Sequence, residues 1–275
     1  MNFIKMEGIG NDFIVTHEPP PEDDLLVSRM ATAVCDRRRG VGGDGLILIL
    51  PSERADFRMR IFNSDGSEAE MCGNGIRCCV NYIHRLSLSD TRELAIETMA
   101  GIVCAERGDD GFVRVDMGPP RLRADQVPVV STRDRVVMQA MRVDTRTFKI
   151  TAVSMGNPHA VIYTNTLSDD LVLGFGPRIE THRRFPNKTN VEFVTVVSDE
   201  EIRMRVWERG CGETQACGTG ACAAAVAGII NRLHGNRVTV HLPGGDLLVE
   251  WSGETDDPVY MAGPARAVFI GSYPV

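Results

Sequence analysis

The 275-residue chain has no long apolar run. Its longest unbroken apolar stretches, around Leu46 to Leu50 and Ala221 to Ala227, fall far short of the roughly 20 residues that a membrane helix requires, so no membrane partner is expected. The amino terminus, MNFIKMEGIG, has neither an apolar h-region nor a small-residue cleavage site, which makes a cytoplasmic location the default expectation. An excess of positive charge is missing too. With 30 Lys and Arg against 37 Asp and Glu, a formal net charge of −7, the chain lacks the concentrated basic surface that nucleic acid would need, and no nucleic-acid partner is expected. Any anionic ligand must be held by local groups. The eight cysteines (Cys35, Cys72, Cys78, Cys79, Cys104, Cys211, Cys217 and Cys222) include no C-x-x-C pair of the zinc-ribbon or thioredoxin kind, so no metal is expected. A disulfide framework is equally out of place in a chain of this length. On general grounds Cys35, Cys78, Cys79, Cys104 and Cys222 read as small buried hydrophobes.

What is present is a repeat. Laid without a gap over EIRMRVWERGCGETQACGTG (201–220), the stretch DFRMRIFNSDGSEAEMCGNG (56–75) matches at Arg58/Arg203, Met59/Met204, Arg60/Arg205, Glu68/Glu213, Cys72/Cys217, Gly73/Gly218 and Gly75/Gly220, an offset of 145. Gly10-Asn11 against Gly156-Asn157, Gly101 against Gly245 and Gly118-Pro119 against Gly263-Pro264 fall at offsets of 146, 144 and 145. Landmarks in one order at one spacing point to a duplicated domain. Short β-rich runs dominate each half, including 13–16, 46–50, 58–62 and 113–117 in the first and 160–163, 191–197, 203–207, 238–242 and 247–251 in the second. A helix follows each Cys-Gly-x-Gly turn, and another is expected from Asp23 to Val34. The segment from Pro119 to Arg142, with Pro120, Pro128 and many charges, reads as the connection between halves. The expected fold is α+β: two pseudosymmetric lobes, each a curved, mostly antiparallel sheet around a central helix. The expected boundaries are 1–118 with a C-terminal strand at 264–275 for the lobe carrying Cys72, and 119–263 for the lobe carrying Cys217, with the active site in the cleft between them.

A Cys-Gly-x-Gly turn places a thiol beside the first turn of a helix, where free N–H groups and the positive end of the dipole converge. That field favours thiolate. The glycines clear side chains from in front of the amides, so a carboxylate can approach the backbone itself. Two such thiols suit the inversion of a carbon centre. One face must lose a proton and the opposite face must gain one, which a thiolate base and a thiol acid accomplish between them. The carbanion formed beside a carboxylate is stabilised as charge moves toward the helix N-termini. No cofactor is required.

The motifs KMEGIGNDFIV (5–15), FNSDGSEAEMCGNGIRC (62–78), SMGNPHAV (154–161), ERGCGETQACGTGACA (208–223) and LPGGDLLVEW (242–251) resemble the diaminopimelate epimerase family over nearly the whole chain. The resemblance implies a cofactor-independent isomerase that interconverts LL- and meso-2,6-diaminopimelate in lysine and peptidoglycan-precursor biosynthesis. It implies that Cys72 and Cys217 are the acid/base pair, and that the amides of Gly73, Asn74, Gly218 and Thr219 cradle the carboxylate at the reacting centre. Asn63, Asn190 and Arg209 match groups that hold the distal amino-acid end, Asn11 and Asn157 match further substrate contacts, and His159 and Glu208 match polar groups that support the thiols; Glu208 also matches a substrate-binding position. A small-molecule substrate is the expected partner, and exposed sheet edges are compatible with a homodimer.

Two positions depart from the family pattern. Some members carry Gln at the position of Gly45, and Cys211 stands where many have a non-thiol residue. GVGGDG at 40–45 formally fits G-x-G-x-x-G but precedes a strand-like LILIL, so a dinucleotide site is rejected. Three rival functions remain at this stage. Proline racemases and hydroxyproline epimerases share the two-thiol logic, yet usually have His after the first Cys-Gly, where this chain has Asn74. Phenazine-type isomerases share the fold without the paired thiols. A thiol metal-binding or redox-sensing protein would explain the cysteine count, but not the glycine-flanked duplication.

Overall fold

The computed structural model describes residues 1–274; residue 275, the last position of the expected C-terminal strand, lies outside the described residues. The chain divides into two units, one formed by Met1–Asp116 together with the chain from Ala262 onward, the other by Met117–Met261.

The first unit begins with β1 (Asn2–Gly8) and β2 (Asn11–Thr16), joined by a two-residue turn. Ile9 and Gly10 there have φ of 53° and 87°, the left-handed pair that matches the twist of a tight hairpin. Glycine accepts that conformation freely, but β-branched Ile9 holds it under strain, and Asn11 is aimed by the turn that results. Helix α1 (Asp24–Cys35) follows, and the Asp23 side chain caps it by accepting from the Leu25 amide, a cap worth about 1 kcal/mol. Val27, Ala31 and Val34 recur at helical spacing and are fully buried against Ile14, Leu46, Leu48 and Phe62. Each large apolar side chain so placed contributes roughly 1.5–3 kcal/mol. β3 (Gly45–Leu50), β4 (Phe57–Asn63) and the short β5 (Glu68–Ala69) lead into helix α2 (Gly73–Arg85), then β6 (Glu93–Thr98), β7 (Gly101–Arg107) and β8 (Val113–Asp116). Neighbouring strands are antiparallel except β2–β3 and β4–β6, which run parallel. Helix α2 packs against β1, β2, β3, β4, β7 and β8.

In the second unit β9 (Gln139–Val143), β10 (Arg146–Ser154) and β11 (Pro158–Tyr163) precede a π-helical turn (Asp170–Phe175) and the short α3 (Gly176–Glu180). β12 (Asn190–Ser198), β13 (Glu201–Glu208), β14 (Gly212–Thr214), helix α4 (Gly218–Ile230), β15 (Arg237–Leu242), β16 (Gly245–Glu250) and β17 (Tyr260–Gly263) complete the series, after which β18 (Arg266–Ser272) pairs with β1 of the first unit. The pairing pattern repeats: β11–β12 and β13–β15 are parallel, while β10–β11, β12–β13, β13–β14 and β15–β16 are antiparallel. Helices α2 and α4 start at Gly73 and Gly218 and each has 13 residues, so the 145-residue offset is kept to the residue. Residues Ala221 to Ala227 of α4 are all fully buried. Alanine combines high helix propensity with a bulk small enough for strands to close on every side. Its contacts run to β10, β11, β12, β13, β15 and β16.

The architecture is the expected α+β arrangement with a helix at the centre of each lobe. Two finer expectations fail. Residues 119–142 are not a free connection: Val127, Val129, Val136 and Met141 belong to the buried core of the second unit, and β9 forms a hairpin with β10. Its apolar residues outweigh its prolines once partners are present. Cys104 is exposed, because it lies on the solvent side of alternating β7. Cys35, Cys78, Cys79 and Cys222 are buried, and burial pushes the Cys35 and Cys78 thiols up to about 12, which leaves them inert. Among the described residues, no helix is long and apolar enough to cross a membrane.

Candidate active site

Each Cys-Gly-x-Gly cysteine is the N-cap of its helix. Cys72 has φ −145°, ψ 114° and its Sγ accepts from the Gly75 amide at 3.4 Å. Cys217 has φ −133°, ψ 107° and its Sγ accepts from the Gly220 amide at the same 3.4 Å. The first bonds of the two helices run from Ile76 N–H to Cys72 C=O and from Ala221 N–H to Cys217 C=O. The amides of Gly73, Asn74, Gly218 and Thr219 therefore lie ahead of the helical ladder, where a carboxylate can take their hydrogens.

The strand before each thiol is braced alike. The Arg60 guanidinium donates to both oxygens of Glu68 at 2.7 and 2.8 Å, and Arg205 to both of Glu213 at 2.7 and 3.0 Å. Asp24 and Asp169, again 145 apart, take the remaining nitrogen at 2.8 Å in each unit. These forks clamp β4 to β5 and β13 to β14 just ahead of the cysteines.

Around Cys72 the polar groups converge on Asn11. Its Oδ1 accepts from Asn74 Nδ2 at 3.2 Å and from the Cys72 thiol at 3.8 Å, while its Nδ2 donates to Asp44 at 2.6 Å. Asp44 and Asp12 share Arg37, and buried Lys5 pairs with Asp12 at 2.6 Å. Burial opposes ionisation of Asp12, but the hydrogen bonds and charges of Arg37 and Lys5 outweigh it and hold the carboxyl down at about 2. Asn63 is exposed and donates to Ser67 at 3.0 Å. At Gly45 a Cβ would stand 2.7 Å from the Phe62 carbonyl oxygen, so this backbone leaves no room for a side chain there.

Cys217 sits in a different environment. Its Sγ is 3.6 Å from the Thr219 hydroxyl, which accepts from Asn157 Nδ2 at 3.3 Å; Asn157 Oδ1 is 2.9 Å from His159 Nε2. His159 Nδ1 is 2.7 Å from Glu192 Oε1, with both side chains wholly buried. Glu208 accepts from the Thr214 hydroxyl. Burial pushes the Cys217 thiol well above its ordinary value, and the carboxylates of Glu208 on β13 and Glu192 on β12 add to that; hydrogen bonds from Thr219 and the Gly220 amide pull the other way. Burial likewise raises the Glu192 carboxyl, against the attraction of His159. Asn190 is buried and spends its amide on the backbone, donating to Pro158 C=O at 3.0 Å and accepting from Arg209 N–H at 2.8 Å. The Arg209 side chain is exposed and reaches Asn187 C=O at 3.4 Å.

Cys72, Asn11, Asn74 and Gly73 are thus gathered in one unit, and Cys217, Thr219, Gly218, Asn157, His159, Glu208, Asn190 and Arg209 belong to the other. No sequence motif marks Glu192. Within NVEFV, alternation reads it as a solvent-facing strand residue, and only its placement against His159 marks it.

The fold is the one found in a hydroxyproline epimerase from Agrobacterium vitis with bound trans-4-OH-L-proline (TM-score 0.70, 16% identity, covering 98% of this chain and 91% of that one). Fold and site together define the class: a two-lobed α+β fold with one thiol capping a helix in each lobe. Residues 3–123 and 151–268 match the diaminopimelate epimerase family model. The chain is 51% identical over 279 residues to a diaminopimelate epimerase of Moorella thermoacetica and 50% identical over 282 residues to one of Heliobacterium modesticaldum, with 100% of both chains covered in each case. It belongs to the diaminopimelate epimerase family.

Proposed function

We propose that this chain epimerises LL-2,6-diaminopimelate to meso-2,6-diaminopimelate in the cytoplasm, on the route to lysine and peptidoglycan precursors, with two cysteines and no cofactor. The observation that carries the reading is the pair of N-capping thiols, equivalent in backbone and hydrogen bonding, in a chain whose full-length relatives at about half identity carry that name. One thiolate removes the α-proton and the other thiol delivers a proton to the opposite face, with the roles exchanged in the reverse direction. The chemistry requires one substrate carbon to be within reach of both sulfurs. Charge that develops on the α-carboxylate is taken up by the amides of Gly73, Asn74, Gly218 and Thr219, at the positive ends of α2 and α4.

Asn11, bonded to the Cys72 thiol, and Asn157, bonded to the Thr219 hydroxyl that faces Cys217, are assigned to the substrate at the reacting end. Asn63, Asn190, Glu208 and Arg209 are assigned to its distal ammonium and carboxylate, for which an exposed Arg fork and a carboxylate are the complementary charges. His159 and Glu208 support the thiols. The test is turnover of LL-diaminopimelate in deuterated water, with L-proline and L-glutamate as comparison substrates. Inversion with deuterium entering the α-position of diaminopimelate alone is expected. Turnover of L-proline with diaminopimelate inert would overturn the assignment.

A further inference from the structure

The Glu192 carboxylate is buried on every side, yet only one of its oxygens is used. Oε1 meets His159 Nδ1 at 2.7 Å, and Oε2 has no hydrogen-bond partner among the described residues. It lies against the first turn of α4: a Cβ at Gly220 would stand 3.0 Å from Glu192 Oε1 and 3.1 Å from Cys217 Sγ. Carboxylate and thiol flank the same glycine. The equivalent place in the other half, beside Gly75, holds the apolar Ile47, so the carboxylate is not a requirement of the repeat.

A pair with zero exposure on both sides stays electrically neutral, because a net buried charge is too costly. A neutral Glu–His pair carries two protons. One is shared along the line between Oε1 and Nδ1; the other belongs on His159 Nε2, which has an acceptor in Asn157 Oδ1 at 2.9 Å, because on Glu192 Oε2 it would be a buried donor with no partner among the described residues. That nitrogen donates to Asn157 Oδ1. Asn157 is thereby turned so that Nδ2 donates to Thr219 Oγ1 at 3.3 Å. The Thr219 hydroxyl, its oxygen occupied as acceptor, has its hydrogen left for Cys217 Sγ at 3.6 Å. With the proton on Nε2, every donor in the chain points toward the sulfur.

We propose that Glu192 is a positioning residue for the Cys217 thiol: it keeps a proton on His159 Nε2 and, through Asn157, turns the Thr219 hydroxyl to donate to the sulfur when that sulfur is a thiolate. The proposal rests on Cys217 being one of the two acid/base groups. Without the carboxylate, His159 has a single proton. If it moves to Nδ1, Asn157 reverses and Thr219 donates away from the sulfur.

The test combines side-chain NMR with thiol labelling. Long-range ¹H–¹⁵N spectra of the wild-type protein are expected to show His159 Nε2 bearing hydrogen; a bare Nε2 overturns the proposal outright. Alkylation of Cys217 by iodoacetamide, followed by peptide mass spectrometry, is expected to be about tenfold slower in Thr219→Val, an isosteric change that removes one donor to the thiolate. Glu192→Gln leaves His159 free to hold its proton on either nitrogen, and is expected to slow alkylation by a smaller factor and to lower kcat with little change in KM. Because Glu192 acts through Thr219, the double variant is expected to match Thr219→Val. Faster alkylation in Glu192→Gln, as a loosened core would give, or slowing that multiplies in the double variant, overturns it. Should Glu192→Gln not fold, the wild-type spectrum and Thr219→Val still decide. Labelling needs no substrate, so wild-type protein that leaves diaminopimelate unchanged yet shows the slowed alkylation refutes the proposed function and not this inference.

Discussion

Helices α2 and α4 begin with the same cap, the same first ladder bond and the same arginine fork behind them, but the sulfurs they present live in unlike surroundings. Asn11 and Asn157 hold equivalent positions and show opposite ends toward their thiols. Asn11 is fixed by Asp44, which takes its Nδ2 and leaves Oδ1 to accept from the Cys72 S–H. Asn157 is fixed by His159 on its Oδ1 and passes a donor through Thr219 toward Cys217. By strand register, Phe13, paired with Gly45, corresponds to His159, paired with Asn190, and Ile47 corresponds to Glu192. One half backs its thiol with apolar side chains, the other with a buried, hydrogen-bonded Glu–His pair. Duplication fixes where a thiol sits; the residues behind it are free to diverge and to set how each holds its proton. In a two-base reaction that difference is useful, since at any moment one sulfur must be base and the other acid.

The largest effect is expected where the halves are alike. Cys72→Ala and Cys217→Ala should each lower net epimerisation by about 10³-fold, within the range for loss of an acid/base group; a single variant with near wild-type turnover would end the two-base reading. The next test separates the halves. His159→Phe strands a buried carboxyl and should cost about 3–5 kcal/mol in denaturant unfolding, while adding Glu192→Ile, which restores the residue types found behind Cys72, should recover most of that stability but not the activity. Recovery of both would mean that the buried pair has no part in catalysis.

A glycine pair gives a sharper contrast. In Gly220→Ala the new methyl meets Glu192 Oε1 and Cys217 Sγ at 3.0 and 3.1 Å, whereas in Gly75→Ala it meets the Ile47 and Ile61 Cδ1 ends at 3.3 Å. Side-chain methyls can move aside and a packed carboxylate cannot. Turnover should fall about tenfold in the first and remain within about twofold in the second, where added helix propensity of up to about 1 kcal/mol offsets the contact. Equal losses would show that the two first turns are packed alike.

The smallest effect concerns acid. Asp12, in the Cys72 half, is depressed to about 2. Its contribution is therefore complete above the unfolded value near 4 and is lost as pH falls through 2, at most about 1–2 kcal/mol after screening of a half-exposed network. Glu192 works with the opposite sign: a raised carboxyl costs stability as pH rises through the carboxylate range. Unfolding of Asp12→Asn between about pH 2 and 5 should lack the acid-side slope of the wild type, and an unchanged slope would remove Asp12 from the account.

Much of this was legible as spacing. The 145-residue offset, the helix from Asp23 and the glycine-flanked cysteines follow from local rules, because caps and tight turns depend on residues a few positions apart. Strands β1, β6, β7 and β10 were not legible. ELAIET and RTFKITAVS mix charge with apolar residues too irregularly to fix a period, and they become strands only because a neighbour offers a ladder edge. Residues 119–142 misled for the same reason in reverse, since four scattered apolar residues look like a linker until a core receives them.

The sequence by itself determined that this protein has two thiols at two helix N-caps, since Cys-Gly-x-Gly before an apolar run leaves the backbone few alternatives. Tertiary structure alone decided what each thiol feels. Glu192 and His159 are 33 positions apart and meet because β11 and β12 run parallel in adjacent register. Electrostatics at a sulfur depend on distance through space and on exclusion of water, and neither is written in the local order of residues.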